Sequence, residues 1–130
     1  MAQPARQYSQ QLTHFLRKTI TYSDNGTTVT IGTIPSGAII VKPASGVHIT
    51  TAFNGATTNT LDVGPSTDTG TDLWATALSL TALNFIPLDE LVGSLLVTSD
   101  TIVQCAVTAT ATATAGSAEV IIQFIPDTDG

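Results

Sequence analysis

From Lys18 onward, apolar and polar residues alternate along the chain with a period of two, and glycines and prolines interrupt the alternation at short intervals. Ile20 and Tyr22, then Val29 and Ile31, alternate with threonines on either side of Asp24-Asn25-Gly26, which predicts two strands joined by a tight hairpin. Pro35-Ser36-Gly37 marks the next turn, before an apolar strand from Ala38 to Val41 that stops at Lys42-Pro43. Val47, Ile49, Thr51 and Phe53 share one face of a strand opposite His48, Thr50 and Ala52, and Thr60-Leu61-Asp62-Val63 forms another that Gly64-Pro65 ends. Residues 65–72 read as a loop. The stretch after it is ambiguous: Asp72 could cap one helical turn through Leu73, Trp74 and Ala77, while Leu78 to Leu83 alternates like a strand. Ile86 to Leu91 and Leu95 to Thr98 are short strands around Gly93.

The clearest pattern comes last. Val103, Cys105, Val107, Ala109, Ala111 and Ala113 fall on one side of a long strand, and Thr108, Thr110, Thr112 and Thr114 fall on the other. Beyond Gly116-Ser117, Val120, Ile122 and Phe124 alternate with Glu119 and Gln123 until Pro126, so the two runs are expected to pair as a hairpin. About eight strands with regular turns predict an antiparallel, all-β sandwich of jelly-roll type over residues 18–126. An N-terminal arm (1–17) precedes it and an acidic tail (127–130) follows. In the arm, Tyr8, Leu12, Phe15 and Leu16 stand at the spacing of one helix face, so a short helix is expected there once that face docks.

Charge changes the picture. Charged residues make up only 11% of the chain, less than half the usual share of about 25%. A surface of hydroxyls and methyls in place of lysine and glutamate suggests that much of it is covered in the working state. Arg6, Arg17 and Lys18 precede every acid, and Lys42 is the one basic residue after them, so a basic arm leads an acidic body. Such an arm has reason to lie on an acidic surface, its own or a neighbour's. Three basic residues against a body that repels phosphate argue against nucleic acid as a partner. One cysteine permits no internal disulfide, and neither a secretory signal nor a membrane span is visible, so a soluble, unprocessed protein made in a reducing cytoplasm is expected.

Candidate chemistry is sparse. Asp68-Thr69-Gly70 matches the triplet of aspartic proteases, in which two carboxylates share a proton, but it follows Gly64-Pro65-Ser66-Thr67 rather than a buried strand. Asp68 and Asp72 alone are a weak calcium signal, and His14 and His48 have no ligand-spaced neighbours for zinc. Cys105 lies on an inward face as a small hydrophobe. No phosphate-binding loop, nucleophile elbow or dinucleotide fingerprint is present. A non-enzymatic protein without cofactor or metal is expected.

Thr33-Ile34-Pro35-Ser36-Gly37-Ala38 followed by Thr50-Thr51-Ala52-Phe53-Asn54 and Thr58-Asn59-Thr60-Leu61-Asp62-Val63-Gly64, within Ile31 to Gly64, resembles a segment of small proteins encoded among the head genes of tailed bacteriophages. The resemblance implies a capsid decoration, or cement, protein with a jelly-roll-like body that binds the major capsid protein on the outside of the head. A tail or fibre protein that binds the host surface is the rival, and a dimeric protease using Asp68 a remote third. The low charge and the small-residue Thr-Ala run lead to an expectation of self-association, and the resemblance to a capsid protein implies a trimer rather than a dimer, since icosahedral shells offer many three-fold sites. Arg6, Tyr8, Leu12, Phe15, Leu16, Arg17 and Lys18 are the candidate anchor to a neighbour or the capsid, and Trp74, Thr108, Thr110, Thr112 and Thr114 the candidate subunit contacts.

Overall fold

The computed structural model describes residues 13–68, 70–90, 95–110 and 112–127. Nine strands occur among them: β1 (His14–Thr21), β2 (Thr28–Ile34), β3 (Ile39–Ile40), β4 (Gly46–Thr51), β5 (Asn59–Pro65), β6 (Ala75–Ser79), β7 (Phe85–Pro87), β8 (Thr101–Ala109) and β9 (Ser117–Ile125). They form two antiparallel sheets. One has the order β1-β9-β4-β7 with β3 also on β9, and the other has the order β2-β8-β5-β6. Without the two-residue β3, the eight remaining strands are wound so that first and last pair in one sheet and second and seventh in the other. That is the jelly-roll sandwich expected from the turn spacing.

The alternating residues supply the interior. Ile20, Val47, Ile49, Leu61, Val63, Val103, Cys105, Val107, Val120 and Ile122 are all buried between the sheets, each on the face its alternation assigns. Most are β-branched, which suits a pleated surface. Burying each large aliphatic side chain contributes roughly 1.5–3 kcal/mol, which acts against the conformational entropy lost in ordering the chain.

Three expectations are corrected. The hairpin around Asp24-Asn25-Gly26 is a crossing between sheets, because β1 pairs with β9 whereas β2 pairs with β8. The polar groups of this loop find partners on both sides: Tyr22 N–H donates to Gly116 O at 3.1 Å, Gly26 N–H to Val107 O at 3.1 Å, and Ala109 N–H to Asn25 Oδ1 at 2.9 Å. The hairpin of the Thr-Ala strand with the last strand is likewise a crossing, since β8 and β9 lie in opposite sheets. β8 ends at Ala109, and residues 110–116 carry the chain over. Gly116 takes φ +148° there, and a Cβ on it would stand 2.5 Å from the Phe53 ring. Finally, Phe15 and Leu16 belong to a strand and not to a helix face, pairing with Gln123 and Ile122. The free edge of β9 offers a ladder of backbone partners that an isolated helical turn lacks. Tyr8 and Leu12, the rest of that stripe, lie outside the described residues.

The ambiguous stretch after residue 72 resolves as strand β6. In it Thr76 and Ala77 together oppose Asp62, a bulge in which Ala77 adopts φ +54°. Asp62 Oδ1 accepts the Ala77 N–H at 2.7 Å and Asp89 Oδ1 accepts that of Thr76 at 3.1 Å. A second irregularity lies on β9, where β3 and β4 occupy one edge in turn and the 3-10 turn Lys42–Ala44 bulges between them. Ser45, fully buried, fills the gap: its Oγ accepts the Gln123 N–H at 2.9 Å and donates to Val41 O at 2.8 Å. Between β5 and β6, Asp68 organises its loop by accepting the N–H groups of Asp72 at 2.8 Å and Leu73 at 2.9 Å on Oδ2 and that of Gly70 at 3.3 Å on Oδ1.

Three outcomes follow from these local arrangements. Ser45→Ala leaves a buried N–H without its acceptor and is expected to lower unfolding stability by about 1–3 kcal/mol, read from the urea midpoint. Ala77→Gly removes the cost of a left-handed residue, about 1–2 kcal/mol, against the greater freedom of glycine in the unfolded chain, so a midpoint equal to or above the parent's is expected. Asp68 has its carboxyl held below the ordinary range, chiefly by the Asp72 N–H. Its folded value lies below the unfolded one, so its stabilising contribution is present above the ordinary carboxylate range and disappears as pH falls through the lowered value. Asp68→Asn should flatten that acid limb in urea titrations taken from neutral to acid pH.

Candidate assembly surfaces

The residues singled out for an anchor are divided by β1. Its alternation turns Leu16 inward, against Gly32 of β2, where a Cβ would stand 2.9 Å from the leucine methyl, and the contact closes the seam between the two edge strands. Phe15 turns outward and is 56% exposed. Arg17 is already engaged on its own body: Nε donates to Glu119 Oε1 at 3.0 Å and Nη2 to Oε1 and Oε2 at 2.6 and 2.7 Å. With the arginine half-exposed, the pair contributes at most about 1 kcal/mol, but it holds the outward side chains of β1 and β9 in register. Lys18 is exposed on the strand face that also carries Leu16 and Ile20, at a sheet edge, a placement that discourages pairing with a further strand. Arg6, Tyr8 and Leu12 lie outside the described residues.

The threonine row does not form one open face. Thr108 is exposed on β8, but Thr110, Thr112 and Thr114 come after the strand and spend their hydroxyls on segment 54–57. Thr110 Oγ1 accepts the Thr57 N–H at 3.1 Å, Thr112 Oγ1 accepts that of Ala56 at 3.2 Å, and Thr114 Oγ1 accepts from Asn54 Nδ2 at 2.9 Å. Asn54 Oδ1 in return takes the N–H groups of Thr114 and Ala115, and Asn59 closes on Gly55 in both directions. Period two was visible in the sequence. That it continued past the point where a neighbouring strand was available was not.

The open face of β2-β8-β5-β6 is carried instead by Thr28, Thr30, Thr33, Gln104, Thr108 and Thr60, with Ile102 and Ala106 among them. Register places Asp62 among them, but one of its oxygens is committed to the β6 bulge. The opposite sheet is more varied, with Phe15, the Arg17–Glu119 pair, His48 beside Phe85, and exposed Ile39 and Ile125.

Trp74 is buried and belongs, with Ala75 and Leu78, to the core, so its ring is not an open contact surface; Leu73 beside it is the exposed neighbour. The Cys105 thiol is fully enclosed and pushed up to about 12 by burial, with Asp24 adding to the shift, so it is not a nucleophile at neutral pH. Asp68 is held anionic by three backbone N–H groups, whereas a protease dyad must keep a shared proton. Among the described residues no group of three His, Cys, Asp or Glu is placed to hold a metal ion.

No protein-family model matches the chain, and no curated protein is similar to it in sequence. Solved structures share its fold. One is a chain of the acidic stable capsid structure of Helicobacter pylori bacteriophage KHP30, similar with a TM-score of 0.68 over 92% of this chain and 91% of that one, at 14% identity. Another belongs to the capsid asymmetric unit of cyanophage Pam1, with a TM-score of 0.65 over 90% and 86% of the two chains, at 21% identity. At these identities the likeness is one of fold, and it extends over nearly the whole jelly roll.

Proposed function

We propose that the chain is a non-enzymatic structural protein of a phage particle, a decoration or cement subunit that binds the major capsid protein on the outside of the head, with a trimer as its assembled form. The observation that carries this reading is the likeness of its fold, over 92% and 90% of its length, to chains of two phage capsid structures. The motif resemblance between Ile31 and Gly64 points the same way independently of the fold.

The surface supports it. Carboxylates of Asp24, Asp62, Asp68, Asp89 and Asp100 accept N–H groups of the chain's own backbone, and Glu119 is paired with Arg17, so these side chains are tied to their own body. The open face of β2-β8-β5-β6 is rich in hydroxyls and carries Asp62 as its charge, and several weak contacts become strong in sum when one subunit touches several capsid proteins. The rival reading, a tail or fibre protein gripping the host, gains nothing from Trp74, whose ring is buried.

Cryo-electron microscopy of heads mixed with the protein tests the reading. Density for this jelly roll on the outer shell is expected, in groups of three, with sedimentation showing the trimer. Gln104→Glu with Thr108→Glu puts two carboxylates on the central strand of the open face, and binding to heads should weaken by about tenfold or more, since burying an unpaired charge costs more than the ~1.4 kcal/mol of one factor of ten. Unchanged occupancy of the variant would move the contact to another face. Heads that never take up the parent protein would overturn the decoration role.

A further inference from the structure

The two ends of the sandwich differ in charge. β2, β5 and β9 finish at one end, where β1, β6 and β8 begin, and the described segments there carry Asp68, Asp72, Asp89, Glu90, Asp100 and Asp127. The loops at the other end contain Asp24 alone. In the acidic end lies a groove of about 330 Å³ between segments 65–67, 73–74 and 95–102, with Ile40 in its wall. Trp74 lines it, and three apolar residues of its lining, Leu73, Leu96 and Ile102, are 58%, 48% and 43% exposed. Ser66, Thr67, Thr98, Ser99, Thr101 and Asp100 complete the lining, and such a mixed groove at the acidic end of the sandwich fits a segment that carries both apolar and basic residues.

Residues 1–12 are such a segment. They contain Met1, Pro4, Tyr8 and Leu12 together with Arg6, and no acid. They also enter the fold at the right place. His14 pairs with Phe124, and Phe124 pairs on its other side with Ile40 of the groove wall. Two strand spacings, about 10 Å, therefore separate the start of β1 from that wall. Twelve residues can span up to about 40 Å.

We propose that residues 1–12 occupy the groove of their own chain, their apolar residues suited to its apolar lining and Arg6 to the acidic end in which it lies. Tethering decides between the chain's own arm and that of a second copy. A segment joined a few residues from its seat acts at an effective concentration in the millimolar range, far above any free protein concentration used in solution. Arg17, at the other end of the basic stretch, already closes on its own body through Glu119. The arm thereby covers this groove, whether or not the protein joins a particle.

Trp74 is the only tryptophan and lines the groove, so it reports on the occupant. A fluorescence acceptor is attached to the full chain through Ala2→Cys, with buried Cys105 remaining unlabelled under native conditions. Quenching of Trp74 emission by the acceptor is expected, equal at all protein concentrations, and abolished by Leu73→Asp with Ile102→Asp, two exposed positions whose replacement leaves the circular dichroism unchanged. A chain lacking residues 2–12 should bind the free peptide of residues 1–12 with a shift in Trp74 emission, and the full chain should not. Quenching that grows with protein concentration would assign the groove to a second copy's arm and overturn the proposal. Absence of quenching, or quenching that survives both groove substitutions, would overturn it as well.

Discussion

The structure depends on one constraint: nearly every connection must carry the backbone from one sheet to the other while its N–H and C=O groups remain paired. Only β5–β6 and the short β3–β4 step stay within a sheet. A crossing has no neighbouring strand to bond with, so side chains complete the pairing. Asp24 and Asn25 serve the first crossing, Ser36 and Asp100 hold the turn after β2, and Asn54 and Asn59 with Thr110, Thr112 and Thr114 hold the crossing after β8. Even Ser45, deep beside β9, is a substitute for a missing backbone partner.

That constraint explains the composition. With only 11% charged residues, most of the carboxylates that remain near loops bond to the chain's own amides, and threonine and asparagine do the rest. The surface left over is hydroxyl-rich and low in charge on one sheet, while most of the acids of the loops lie at the end where β1 begins. A sheet low in charge costs little to desolvate, which suits a face that is covered in an assembly. The acidic end is suited to a basic segment. Both surfaces thus arise from the way the crossings are satisfied.

Arg17 shows how the same logic acts on the arm. In the sequence it belongs to a basic stretch whose target could be any acidic surface. In the fold, β1 adds to the free edge of β9, and Arg17 then stands diagonally across from Glu119, so its charge is used at home. Phe15 shares the outward face of Arg17 and remains exposed, while Leu16 between them points the other way, against Gly32. Adjacent positions in a strand have opposite fates, and a helical reading of the same residues would have given both to one partner.

The sequence by itself determined which residues are inside. Period-two alternation at Val47 and Ile49, Leu61 and Val63, and Val103, Cys105 and Val107 is a local property of a pleated strand, and all of these are buried as the alternation requires. The positions of most turns, the jelly-roll class and the inertness of Cys105 followed from the same pattern. Only the tertiary structure decided which strand lies beside which. Strands flanking Asp24-Asn25-Gly26 and Gly116-Ser117 look like hairpins, yet each joins a partner distant in sequence, because sealing one core between two sheets favours crossings over local pairing. The fate of the candidate contact residues depended on that choice. Thr108 stays on an open face, Thr110, Thr112 and Thr114 bind a loop some 55 residues away, and Trp74 turns into the core. Alternation states on which side of a strand a residue lies, but what faces it there is set by long-range packing that no local pattern encodes.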